Sequence, residues 1–230
     1  MTLPIALVAL AFAALGLAAE RLASVWPADE ASRRGPGLRT ALLAAAAAAA
    51  GGGVAWRSNL PLWATAVHLG LLGLMVVLTA TDLDQRRLPH LVLDPLILGA
   101  AVFTPFNPAV SPLDAVIGAG AAVAFLGLLG LLVRGGVATG DLYLVVPLGL
   151  LLGWPSVFVA LFVAALLSAV TGLALLATRR AGMKSYIPFG PFLVAGTVIT
   201  LLREPQLLAA AAGFPADVVA IVMRVVGASI

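Results

Sequence analysis

Two aspartates, Asp82 and Asp141, are the residues of this chain whose type and placement could do chemistry. Each stands at the end of a long apolar stretch, where an ionisable group is expensive and is a functional candidate by default. Two carboxylates brought together in a low-dielectric site cannot both ionise easily. One keeps a proton, and the pair can act as general base and general acid toward a bound water. That chemistry suits hydrolysis of a peptide bond without a metal. A plainer reading stands beside it: helix termini solvated by headgroup water, with Asp141 as an ordinary N-cap.

The other acidic residues have bland readings. Glu20, Asp29 and Glu30 fall in an expected loop, Asp114 and Glu204 near the opposite boundary, and Asp217 in the tail. Asp84 reads as a solvated loop residue and is the one substitute for Asp82. Asp94, before Pro95, reads as a boundary residue. His68 and His90 without a third ligand are weak grounds for a metal, and His68 reads as a packed, hydrogen-bonded histidine. No cofactor is expected.

The elements that must position these aspartates are membrane helices. The chain has 230 residues, 62% of them hydrophobic and only 10% charged. Soluble domains carry about 25% charged residues, so lipid is the natural solvent here. There is no cysteine, which removes disulfides, thiolate metal sites and cysteine nucleophiles. The net charge of +3 comes without a clustered basic face bearing interleaved aromatics, so nucleic acid is set aside.

A spanning helix needs roughly 20 mostly apolar residues. The apolar stretches predict an all-α, polytopic bundle of about eight spans, at roughly 3–19, 40–56, 60–81, 90–103, 113–133, 141–153, 156–178 and 187–202. Trp154-Pro155 separates the sixth from the seventh. The run Ala44 to Ala50, followed by Gly51 to Gly53, reads as a close-packing helix surface. The tail from Pro205 is ambiguous, either a broken helix or an interfacial hairpin. The whole of 1–230 reads as one membrane domain.

Arginine and lysine set the orientation. With the N-terminus outside, ten of them (Arg21, Arg33, Arg34, Arg39, Arg86, Arg87, Arg134, Arg179, Arg180, Lys184) fall in inner loops and two, Arg57 and Arg203, in outer ones. That is a strong positive-inside bias, and it makes Arg86 and Arg87 topology determinants. Asp82 ends the third span and Asp141 opens the sixth. Two crossings lie between them, so both belong to one face, the cytoplasmic one.

The same residues resemble a known family. Asp82-Leu83-Asp84-Gln85-Arg86-Arg87-Leu88-Pro89 is similar to the first motif of the prepilin peptidases (type IV leader peptidases), an aspartate followed seven residues later by proline. Ala138-Thr139-Gly140-Asp141 resembles their second motif, Gly-x-Gly-Asp. Ile187-Pro188-Phe189-Gly190-Pro191-Phe192 resembles their Pro-Phe-Gly-Pro segment, and Leu113 to Ala119 their entry into the helix before the second motif. The resemblance runs from about 60 to 202, with the motifs in order. It implies an aspartic endopeptidase of the prokaryotic plasma membrane, with Asp82 and Asp141 catalytic. Pro89, Gly140, Pro188, Phe189, Gly190 and Pro191 would support the site or line the substrate. The implied substrate is a type IV prepilin-like or pseudopilin-like precursor, cut between its short basic leader and its hydrophobic helix, with membrane lipid as the other partner.

Three residues depart from the pattern. Ala138 replaces the first glycine of Gly-x-Gly-Asp, Tyr143 stands where many members have lysine, and His90 follows Pro89 in place of the frequent Asp or Asn. Bifunctional members carry a cytoplasmic insert after the first helix, often with paired Cys-x-x-Cys. Here that loop, Glu20 to Arg39, is short and cysteine-free, which predicts cleavage without N-methylation. Two other functions remain open at this stage. A presenilin-like protease shares Gly-x-Gly-Asp, and a non-catalytic protein or transporter could use a carboxylate pair.

Overall fold

In the computed structural model, which describes residues 4–26, 35–132, 137–179 and 187–212 (side chains to 202), the chain is all-helical. Among the described residues there are eight α-helices: α1 Ile5–Ala23, α2 Leu38–Arg57, α3 Leu62–Gln85, α4 His90–Phe103, α5 Pro112–Leu132, α6 Thr139–Leu152, α7 Ser156–Ala177 and α8 Gly190–Ala212. Five of them (α1, α2, α3, α5 and α7) are long and apolar enough to cross a membrane. α4 and α6 have 14 residues each, about 21 Å at 1.5 Å per residue. Helices satisfy every interior backbone group within themselves, which lipid cannot do for them. The protein is a multi-pass membrane bundle.

Proline marks where several helices begin. α3, α4 and α7 follow Pro61, Pro89 and Pro155, α5 starts with Pro112, and Pro191 is the second residue of α8. The first-turn N–H groups have no intrahelical partner, so a residue lacking one costs nothing there. Three helices end in residues of positive φ, at Arg86 (54°) after α3, Gly153 (71°) after α6 and Arg179 (54°) after α7. The N–H of Arg86 still donates to the Asp82 carbonyl at 2.9 Å, closing the last turn of α3.

The centre of the bundle is α3, α4, α6 and α8, which supply Met75, Leu78, Leu93, Leu96, Leu144, Leu148 and Leu193, all fully buried. α1 and α2 pack on one flank and α5 and α7 on the other. Small residues let the pairs approach closely. A Cβ on Gly16 of α1 would lie 2.8 Å from Ala44 Cα of α2, one on Gly149 of α6 would lie 2.4 Å from Ala119 Cα of α5, and one on Gly196 of α8 would lie 2.3 Å from the Ala160 carbonyl of α7. The alanine run of α2 is the close-packing surface expected, with Ala44 and Ala47 buried.

Several boundaries differ from those expected. α1 runs four residues past Ala19 to Ala23 and α3 four past Thr81 to Gln85, so Glu20 and Asp84 are helical rather than loop residues. Pro205 does not stop α8, whose backbone continues to Ala212. The acids at 29, 30 and 217 and the basic residues at 33, 34, 134, 180, 184 and 224 lie outside the described residues.

Candidate active site

Helix order puts the C-terminus of α3 and the N-termini of α4, α6 and α8 at one end of the bundle. α3 and α6 each pack on α4 and α8, which brings Asp82 and Asp141 toward one another from opposite sides. Asp82 is 6% exposed and Asp141 is 3% exposed. They are near enough for the charge of Asp141 to act on Asp82, and Arg86 is a cation whose charge also reaches Asp82.

Asp82 opens the last turn of α3, three residues before its end. Its Oδ2 accepts from the N–H of Gly190 at 3.1 Å. The local sequence explains this donor. The N–H groups of Phe192 and Leu193 turn back to the Phe189 carbonyl and start α8, while the N–H of Gly190 precedes any intrahelical partner and is free to point outward. Pro191 has no N–H to compete. Glycine leaves the carboxylate its place, since a Cβ at 190 would sit 2.6 Å from Asp82 Oδ2 and force it to shift. The Pro-Phe-Gly-Pro segment therefore does more than begin a helix: it presents a backbone donor to the first aspartate.

Asp141 occupies the first turn of α6. Ala138, not Asp141, is the N-cap, so the N-cap reading does not hold; Asp141 is the third residue of the helix, and its carboxylate accepts from the backbone N–H of Ala138. Its N–H donates to the Ala138 carbonyl at 3.0 Å. Its Oδ2 is buried with no hydrogen-bond partner among the described residues. An unsatisfied buried acceptor costs roughly 1–3 kcal/mol, more if charged, so a scaffold that keeps one has a use for it.

The two aspartate motifs touch. A Cβ on Gly140 would lie 3.1 Å from Leu88 Cδ1, so the turn before Pro89 rests against the first turn of α6. Pro89 then opens α4, with the N–H groups of Val92 and Leu93 donating to its carbonyl. Pro188 and Phe189 are half-buried beside this end. Ala138 has φ −78° and ψ 147°, an ordinary extended conformation, so alanine stands there without strain. The other two departures meet each other: the rings of His90 and Tyr143 pack edge to face with centroids 5.3 Å apart. His90 Nδ1 also lies 3.0 Å from Asp94 Oδ1 on the exposed face of α4, which fits the boundary reading of Asp94. His68 is packed in the core with Nδ1 2.8 Å from the Ala64 carbonyl.

Two acids were misread. Asp84 is not a solvated alternative to Asp82; its side chain is 1% exposed and accepts from Arg39 Nη1 at 3.3 Å. Glu20 is 1% exposed and accepts from Thr40 Oγ1 at 2.8 Å. Their partners lie 45 and 20 residues away, too far for a local pattern to reveal. Leu88, which joins the two motifs, is an apolar residue with no chemical signal of its own.

Residues 69–173, which include both aspartates, match the model of the type IV leader peptidase family. The chain is 36% identical over 150 residues to the prepilin leader peptidase/N-methyltransferase of Aeromonas hydrophila, covering 62% of this chain and 51% of that protein. It is 30% identical over 163 residues to the protein of the same description from Bacillus subtilis (strain 168), covering 68% of this chain and 62% of that one. The Pseudomonas putida relative is 32% identical over 163 residues, with 68% and 56% covered. This chain spans about half the length of the Aeromonas relative. No solved structure matches the chain significantly.

Proposed function

We propose that this chain, whose residues 69–173 match the model of the type IV leader peptidase family, is a membrane aspartic endopeptidase that removes the short basic leader of prepilin-like or pseudopilin-like precursors. Asp82 and Asp141 form the catalytic pair. One carboxylate takes a proton from a water held between them as that water attacks the scissile carbonyl, and the other gives a proton to the departing amine. The N–H of Gly190 holds Asp82 in one orientation, with Pro188, Phe189 and Pro191 shaping the segment that presents it. Pro89 and Gly140 set the turns that bring the two motifs together.

The observation that carries this reading is the Asp141 carboxylate: buried, within electrostatic reach of a second buried aspartate, with an oxygen that no described residue satisfies. A capping or merely structural aspartate would have its acceptors filled. The hydrophobic helix of the precursor stays in lipid, and the peptide bond ahead of it meets the polar end of the bundle. The bias of basic residues supports placing that end at the cytoplasmic face of a prokaryotic inner membrane, with the N-terminus outside. Residues 1–230 work as one peptidase domain. The relatives are prepilin leader peptidase/N-methyltransferases by name, but the short, cysteine-free connection between α1 and α2 supports cleavage without methylation here.

Co-expression with a pilin precursor tests this. Wild-type protein is expected to yield mature pilin whose N-terminus lacks the mass of an added methyl group, while Asp82→Asn and Asp141→Asn leave the precursor uncut. Processing at the wild-type rate by either variant would overturn the assignment of the pair.

A further inference from the structure

The last turn of α3 is pinned on two sides. Successive residues project about 100° apart around a helix, so Asp84 points roughly 200° away from Asp82 and Gln85 roughly 300° away. Asp82 faces α8 and the Gly190 donor. Asp84 faces the other way, to Arg39 in the first turn of α2. Gln85 reaches the end of α1, where its Nε2 donates to the carbonyls of Ala23 at 2.5 Å and Trp26 at 3.0 Å. The Ala23 carbonyl belongs to the terminal turn of α1 and has no intrahelical donor, and Trp26 lies three residues beyond that turn.

The hairpin that supplies these partners is itself tied together by polar contacts. Thr40 Oγ1 donates to Glu20 Oε2 at 2.8 Å, the N–H of Gly37 donates to Thr40 Oγ1 at 3.1 Å, and Arg21 Nη1 lies 4.0 Å from Glu20 Oε2. Glu20 and the Asp84 side chain are each 1% exposed. The Arg39–Asp84 pair is only half-buried, with the arginine side chain 37% exposed, and an ion pair open to solvent on one side is a modest source of stability. What such a pair does supply is a single geometry. Here that geometry is the direction of the helix turn carrying Asp82. The hairpin, residues 5–57, lies outside the segment matched to the peptidase family.

We infer that Arg39 and Asp84 are positioning residues for the Asp82 carboxylate, through which the α1–α2 hairpin sets the angle of the last turn of α3. The inference rests on the catalytic reading of Asp82. Neither residue touches the substrate; each acts by holding the turn. Misplacement of a reacting group by about 1 Å costs on the order of 100-fold in rate, so loosening this turn reaches kcat without altering where the substrate binds.

The test uses the full chain in detergent with a pilin precursor, measuring kcat and KM separately. Arg39→Gln and Asp84→Asn are expected to lower kcat about 10- to 100-fold with KM within about twofold, while the folded protein recovered stays at the wild-type level. Arg39→Lys restores most of the rate, since it returns the charge. The double variant Arg39→Gln/Asp84→Asn loses no more than the worse single one, as expected of two residues acting through one contact. Arg39 is 37% exposed, so glutamine there leaves no sealed cavity, and this variant decides the matter even if Asp84→Asn does not accumulate. Unchanged kcat in Arg39→Gln, with Asp82→Asn inactive in the same assay, overturns the inference and leaves the catalytic pair standing. A loss that Arg39→Lys does not recover, matched by loss of folded protein, also overturns it. Cleavage by Asp82→Asn at the wild-type rate removes the catalytic reading and this one with it.

Discussion

Asp114 and Asp141 occupy the same position at opposite ends of the bundle. Each is the third residue of its helix, α5 or α6. At the α5 end, Ser111 precedes the helix. Its hydroxyl donates to Asp114 Oδ2 at 2.7 Å and accepts from the Asp114 N–H at 3.1 Å, all in an exposed setting. At the α6 end, Ala138 occupies the equivalent place and offers Asp141 no side-chain hydroxyl, only its backbone N–H. Asp141 is buried, and its Oδ2 meets no described partner. The same residue at the same helical position is a finished cap in one place and an unmet acceptor in the other. Helical position therefore says little about an aspartate, and the two differences that matter are burial and the residue three before it. Ser-Pro-Leu-Asp and Ala-Thr-Gly-Asp carry one of those differences in the sequence itself.

The comparison breaks most decisively by making one change at both ends. Asp141→Asn is expected to lower precursor cleavage by about 10²–10⁴-fold, the range for loss of a general acid or base. Asp114→Asn should leave the rate within about twofold and cost at most about 1 kcal/mol of stability, since it only weakens a cap. Equal loss from both would mean that the two aspartates share a structural role. Next in size is Gly190→Ala. The new Cβ would stand 2.6 Å from Asp82 Oδ2, so the carboxylate or the start of α8 must move. A loss of about 10- to 100-fold in kcat, with thermal unfolding little changed, is the expected outcome. Gly149→Ala gives the opposite signature. Its Cβ would meet the backbone of Ala119 at 2.4 Å, where no flexible side chain can yield. Overpacking there costs about 1–3 kcal/mol, read as a lower melting temperature, while the protein that stays folded cleaves normally.

Much of this arrangement is legible from residues alone, and the exceptions share a cause. Apolar stretches bounded by Pro61, Pro89, Pro112 and Pro155 mark helix starts because proline costs nothing in a first turn. Counting crossings then puts Asp82 and Asp141 at one end. The misjudged boundaries are those where a helix runs on through charged residues. Glu20 and Asp84 look like loop residues because local pattern reads charge as solvation, yet each is satisfied by a partner from another helix, Thr40 or Arg39. The tail from Pro205 reads as ambiguous, yet α8 runs through it, because proline removes only one backbone bond and membrane helices tolerate it. The donor to Asp82 was hidden for the same reason as the ion pair: Gly190 lies 108 residues away, and its motif could be seen without showing what it points at.

The smallest effect is the one that isolates the difference between the two helix starts. Ala138 has an extended backbone, φ −78° and ψ 147°, which suits an N-cap serine. Ala138→Ser would give α6 the hydroxyl that Ser111 gives α5, within reach of the first-turn N–H groups and of Asp141. Two consequences should appear together. The helix start gains about 0.5–1 kcal/mol, the usual worth of such a cap, visible as a small rise in melting temperature. The Asp141 carboxylate acquires a standing partner that a reacting water must then displace, so kcat falls a few-fold. A stability gain with an undiminished rate would show that the cap reaches only the backbone and that Asp141 keeps its free oxygen. A loss of both would show that this end of α6 has no room for a hydroxyl. Only the opposed pair, more stable and slower, follows from an aspartate whose missing partner is part of its function.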